Sequence, residues 1–239
     1  MKKIIGFILI IVIFAGLGFG VKSYVEGPAQ SVNGILVIGT ENDVNKVKQL
    51  YEDNTKQKID YKMKLVTTKK GSKMSEEDQI ETNEESDVRY IKYAVVNRST
   101  AEHFIKKGIL RSRKDPNSTS IISDPVNSIK ELSNGYNLFF SSNDSEMKNN
   151  QIELNGKMVP VQYVKRQAWI GYMPTMDLVI LEDQAYNELI EAESTITLIQ
   201  FKKGNFDYKN KDKVNKVLQE IGNVYADSAD KVNFVDVQD

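Results

Sequence analysis

The chain has 239 residues, 27% of them charged and 40% hydrophobic, with a formal charge of −1 and no cysteine. That length accommodates one or two compact domains, and the missing thiols exclude disulfides, thiol catalysis and cysteine metal sites. The near-neutral balance lacks the basic stripe of a nucleic-acid binder.

The first residues are a different material from the rest. Lys2 and Lys3 precede IIGFILIIVIFAGLGFGV, an uncharged run over residues 4–21. At about 1.5 Å per residue the run approaches the roughly 30 Å hydrocarbon thickness of a bilayer. Residues 1–26 therefore read as a single-pass membrane anchor, or uncleaved signal, with the C-terminal domain outside the cytoplasm because the lysines stay inside. A cleaved signal peptide competes, ending near Gly27-Pro28-Ala29, although its apolar region is longer than usual and Lys22 interrupts the approach. No cysteine follows the run to carry a lipid. Without Lys2, Lys3, Lys22 and Glu26 the remainder has 29 basic and 32 acidic residues, a charge of −3.

GILVIG, bounded by glycines, predicts a buried strand. TENDVNKVKQLYED follows with Thr40 or Asn42 as cap and Val44, Val47, Leu50 and Tyr51 at helical spacing. KIDYKMKLVTT alternates as a strand. Residues 69–87 have little to bury, with seven acidic and no basic residues from Glu76 to Asp87, and read as a mobile acidic loop. VRYIKYAVV predicts a strand and NRSTAEHFIKKGIL a helix, capped at Asn97 or Ser99 and ended by Gly108. After the polar RSRKDPNSTSIISDP, a short helix, an Asn134-Gly135 turn and a strand over 138–140 are expected. IELNGKMVPVQYV is the clearest hairpin, turning at Asn155-Gly156, and Pro160 argues for an edge strand. RQAWIGYMPT leads to the apolar strand MDLVIL. A helix from Asp183, the strand TITLIQF, a helix from about Asn210 to Gly222 and the strand VNFVDV complete the chain.

The order predicts an α+β fold: an extracytoplasmic mixed-sheet domain of strand-helix-strand units with helices on one face. Residues 33–109 and 176–239 form its main lobe and 110–175 a β-rich inserted lobe.

Chemistry is sparse. His103 is the one histidine, and with no cysteine beside it zinc sites and Cys-His or metalloprotease arrangements lose their usual ligands. No nucleophile elbow, dinucleotide fingerprint or phosphate loop occurs. No catalytic, cofactor or metal residues are assigned. Carboxylate pairs remain available to a hydrolase because aspartates and glutamates are numerous.

IELNGKMVPVQYV, leading through RQAWIGYMPT to MDLVILEDQAYNEL, resembles the extracytoplasmic core domain of MacB/FtsX-like ABC-transporter permeases. In that family a hairpin with an Asn-Gly-type turn precedes a loop, an apolar strand and a helix beginning near an acidic residue. The resemblance, over roughly Lys22 to Asp239, implies an α+β lobe with an insertion that transmits motion between transmembrane helices and an external substrate. The remaining transmembrane helices and ATPase motifs of such a transporter are not in this sequence.

Three functions stay open: an anchored interaction module accessory to an ABC-type export or cell-envelope complex, an extracytoplasmic solute- or peptide-binding protein, and a carboxylate-dependent envelope hydrolase. The expected partners are the membrane through residues 4–21 and a transporter protein or peptide. Trp169, Ile170, Tyr172, Met173 and Met176 are the candidate contact residues, because aromatic and Met side chains concentrate at interface hot spots. The same residues equally suit a packed seam between lobes.

Overall fold

The computed structural model describes residues 29–71, 88–115, 122–141, 144–174 and 176–238. The expected anchor at 1–26 and residues 72–87 of the acidic loop lie outside these. Among the described residues no helix is long and apolar enough to cross a membrane.

The first half comprises β1 (Ser31–Val32), β2 (Gly34–Gly39), α1 (Glu41–Leu50), β3 (Thr55–Gly71), β4 (Val88–Asn97), α2 (Arg98–Lys106), β5 (Leu110–Arg113), β6 (Ser123–Pro125) and β7 (Leu138–Phe140). The second comprises β8 (Met147–Lys148), β9 (Gln151–Leu154), β10 (Lys157–Pro160), β11 (Gln162–Val164), β12 (Ala168–Ile170), β13 (Asp177–Leu181), α3 (Asp183–Asn187), β14 (Glu193–Phe201), β15 (Phe206–Asp207), α4 (Lys211–Gly222) and β16 (Val232–Val235). Eight strands form one mixed sheet in the order β11-β7-β13-β4-β3-β14-β2-β16. Two three-stranded sheets, β10-β9-β8 and β12-β5-β6, flank it.

Local chemistry sets the helix ends. Thr40, Asn97 and Asn210 cap α1, α2 and α4, their side chains accepting from the backbone N–H three residues on. Gly108, at φ +67°, closes α2, with Ile109 N–H reaching the Phe104 carbonyl and Gly108 N–H that of Ile105. The helix expected over 183–193 stops at Asn187, because buried Lys64 takes the Tyr186 and Leu189 carbonyls that a longer helix would need.

Side-chain alternation along the central strands divides the core between two faces. Leu36, Met63, Ala94, Leu178 and Ile196 look towards α2 and the β12-β5-β6 sheet. Ile35, Val37 and Ile199 look the other way, onto α1 and α4. Tyr93, Val95 and Val179 share that second face and meet α3 and the β9-β10 hairpin. Helices thus cover both faces of the sheet, not one.

The 110–175 segment supplies both small sheets and also two strands of the large one. β7 pairs with β13 and β11 with β7. Leu138 and Phe140 are buried on one face and Phe139 on the other, so an uninterrupted apolar triplet finds cover only inside a two-sided sheet. Pro160 marks the crossing: β10 is an edge strand, as its proline demands, and the chain leaves for the large sheet immediately after it.

Candidate functional site

Between β12 and β13 the chain makes a tight turn against β16, and Asn233 holds it there. The Asn233 amide donates to the carbonyls of Ile170 (2.8 Å) and Met173 (2.9 Å), while its oxygen accepts from Met173 N–H (3.0 Å). Gly171 sits at φ +76°, and a Cβ there would lie 2.6 Å from the Asn233 side-chain carbon. A glycine is therefore required by both conformation and space.

This clamp fixes the candidate contact residues in different settings. Trp169 is buried, its indole N–H 3.4 Å from the Tyr172 carbonyl. Tyr172 is buried too, stacked on Tyr208 with ring centres 5.2 Å apart and donating to the Ser31 carbonyl at 2.6 Å. The Arg111 guanidinium lies 4.4 Å from its ring, and burial raises the phenol to about 12. Ile170 and Met176 are half-buried, whereas Met173 is 49% exposed.

Trp169, Ile170 and Met176 form one wall of a trench across the sheet. Its floor is Leu36, Met63, Ala94 and Ile196, and Lys231 and Asn233 stand opposite. The slot under Trp169 holds ≈ 450 Å³ of space between atoms, open solvent included, of which ≈ 20 Å³ admits the centre of a water molecule. That is about room for one water.

The slot widens into a shelf over Ile38, Leu65, Thr67 and Lys92, where ≈ 290 Å³ admits water centres. A third hollow continues past Tyr90, Gln167 and Pro174. Met176 lines all three. Leu65 and Tyr90, 37% and 62% exposed, present apolar surface along this course. Its charged side chains balance, Lys92 and Lys231 against Asp177 and Asp230. Lys231 is held protonated by its hydrogen bond with Tyr225, with Asp230 and Asp227 adding to the effect.

The trench also ends at backbone without a strand partner. β13 begins opposite Tyr93, at Asp177, so residues 88–92 of β4 have no strand on that side among the described residues. A wider hollow beside β11, ≈ 690 Å³, is lined by Tyr136, Asn137, Asn150, Pro160 and Tyr163 and shares no residue with the trench.

No group of three or more His, Cys, Asp or Glu side chains gathers as a metal site among the described residues. His103 lies exposed on α2, edge-on to Tyr61 at 6.1 Å. Of the five candidate contact residues read from the sequence, Trp169, Ile170 and Met176 line the trench, and Tyr172 and Met173 do not. The trench also takes in Asn233, Leu65, Tyr90 and Lys231, which come from distant segments and carry no local signal in the sequence.

Fold and site together define a mixed α+β domain with one large sheet, two small β-rich additions and an apolar trench. The chain belongs to an uncharacterised lipoprotein family, matching it over residues 32–238. A crystal structure of a Bacillus anthracis chain named as a lipoprotein shares the fold, at 18% identity and a TM-score of 0.56, over 86% of this chain and 99% of that one. No curated protein matches the chain.

Proposed function

We propose that the chain is an extracytoplasmic, membrane-held binding module that receives an extended peptide segment in the Trp169–Met176 trench. The observation that carries the reading is the continuity of a narrow apolar slot, an open shelf and the stretch of β4 that has no strand on that side among the described residues. Peptide strands add to such edges by main-chain hydrogen bonds, and adjoining pockets select alternate side chains. Met176, which lines all three hollows, adapts to different apolar occupants. Balanced rim charges favour a polypeptide over a strongly charged solute.

Membrane attachment in this reading comes from residues 4–21. The family is one of lipoproteins, yet these 239 residues contain no cysteine to acylate. An accessory role in an ABC-type export or envelope complex is the narrower form of the proposal, in which the peptide is a segment of the transporter subunit.

Trp169, the sole tryptophan, reports occupancy directly. A pool of end-capped apolar heptapeptides should shift its emission saturably. The shift should vanish in Met176→Glu and with backbone N-methylated peptides. No saturable response from the folded full chain would overturn the proposal.

A further inference from the structure

A lysine ridge stands where the chain comes off its apolar N-terminal run. Ser31 pairs with Asp207 and Val32 with Phe206, and Gln30 N–H donates to the Asp207 carboxylate at 3.0 Å. The first described residues therefore lie against the segment that opens α4. From Lys202 to Lys216 that segment carries six lysines against Asp207 and Asp212, an excess of +4 in a chain of formal charge −1.

Lys202, Lys203, Lys211, Lys213 and Lys216 are exposed. Asp207 is occupied by backbone N–H groups of Gln30 and Lys209. Glu52 and Asp53 of the neighbouring turn are equalled in number by exposed Lys56 and Lys58 at the start of β3, and Glu220 lies 4.0 Å from Lys216. Exposed Met173 follows Tyr172, whose ring stacks on Tyr208 and whose hydroxyl reaches Ser31.

We infer that this ridge docks on an anionic lipid bilayer, the surface of the membrane that holds residues 4–21. The inference rests on the anchored reading above. Chain reach supports it: nine residues lie between Val21 and Ser31, and the ten steps across them, at about 3.3–3.6 Å each, span no more than about 36 Å. A tether that short keeps the ridge near the headgroups, and lysines are drawn to anionic lipid over the last Debye length, about 8–10 Å. Met173 is placed to enter the headgroup layer beside them.

The absence of native cysteine makes single-site labelling clean. Full-length Asn205→Cys, in the ridge, and Asn134→Cys, before β7 at the far end of the sheet, would each carry a donor dye. Each is reconstituted in vesicles whose headgroups bear an acceptor. Transfer from position 205 should exceed that from 134 in vesicles with about 30% phosphatidylglycerol. The excess should fall to what the tether alone gives in phosphatidylcholine vesicles, in about 0.5 M salt, and after Lys202, Lys203, Lys211 and Lys213 are changed to Gln. Equal transfer in anionic and neutral vesicles, or indifference to the four substitutions, overturns the inference.

Carbonate extraction tests the anchor separately. Release of the chain would sink the anchored reading alone. Docking is then read by cosedimentation with the same vesicles, where each lysine removed should weaken association about fivefold and independence from phosphatidylglycerol overturns it. Binding of poly-glutamate without attraction to vesicles would assign the ridge to an acidic protein and overturn it as well.

Discussion

Lys64 lies in the interior at 5% exposure, a position that an ammonium occupies only with full hydrogen-bonding. Its Nζ donates to the carbonyls of Tyr186 (3.0 Å) and Leu189 (2.6 Å), and the Tyr186 ring lies 5.0 Å away. It thus supplies the donors that the C-terminal end of α3 lacks, with a charge of the favourable sign. Lys64→Met keeps much of the stem and takes the ammonium from both carbonyls, of which that of Tyr186 keeps the Leu189 N–H at 3.3 Å. It should lower stability by about 2–4 kcal/mol, read from the urea midpoint, and an unchanged midpoint would refute the capping role. Two carboxylates respond oppositely to pH. Burial raises Asp236, against the pull of Ser31 and Arg111. Its contribution is therefore fully present below the unfolded carboxylate value and lost as pH rises through the raised folded one. Burial also pushes Asp60 up, but hydrogen bonds from Lys48 and Thr197 and the charges of Lys48 and Lys62 outweigh it. The Asp60 contribution is present above the unfolded value and lost as pH falls through the lowered folded one. Asp236→Asn should gain stability over wild type at neutral pH, with the gain fading in acid, whereas Asp60→Asn should lose most at neutral pH. Thermal melts across the acid range distinguish these signs.

The β12–β13 turn shows which parts of an element a sequence reveals. Thr40, Asn97 and Asn210 act on N–H groups three residues away, so their capping is written locally. Asn233 does the same kind of work on Ile170 and Met173, 63 and 60 residues distant. Asn33 likewise binds both backbone groups of Val237, 204 residues away. Nothing beside either asparagine marks it out, because the partner exists only after the sheet has formed. The apolar stretch RQAWIGYMPT is legible as a special connection. What holds it is not. Asn233→Ala should cost about 1–3 kcal/mol, since it removes three hydrogen bonds to the turn, one of them to the part-buried Ile170 carbonyl. Releasing the turn should also move Trp169 emission to longer wavelength in the native baseline. Gly171→Ala should reproduce that shift through its clash and positive φ, while Gly204→Ala, with open space around the added carbon, should leave emission unchanged. Equal spectra in all three variants would dissociate Asn233 from the turn.

Across the molecule, the strand-helix-strand order at both ends of the chain was readable from periodicity, and the resulting α+β class follows from it. The trench was readable in part. Trp169 and Met176 share one stretch, but Leu65, Tyr90 and Lys231 reach the same surface from β3, β4 and the approach to β16. The weaving of residues 110–175 was obscured because strands of three residues give too little alternation to read. β7 and β11 place part of this segment inside the large sheet, and Phe139 packs edge-on to Tyr93 of β4 at 6.1 Å. Trp169 in turn joins β5 through β12 and the large sheet through the Asn233 clamp. Unfolding the segment alone would expose Leu138, Phe139, Phe140 and Trp169, all buried at 2% exposure or less. At about 1.5–3 kcal/mol for each large apolar side chain, that exposure costs as much as a typical domain's whole stability. Urea unfolding followed by Trp169 emission and by far-ultraviolet circular dichroism should therefore give superimposable transitions. The tryptophan reports the 110–175 segment and the dichroism reports the helices, most of which lie outside it. A Trp169 transition at lower urea than the helical one would make the segment an independently melting lobe and break the coupling argued from β7 and β11.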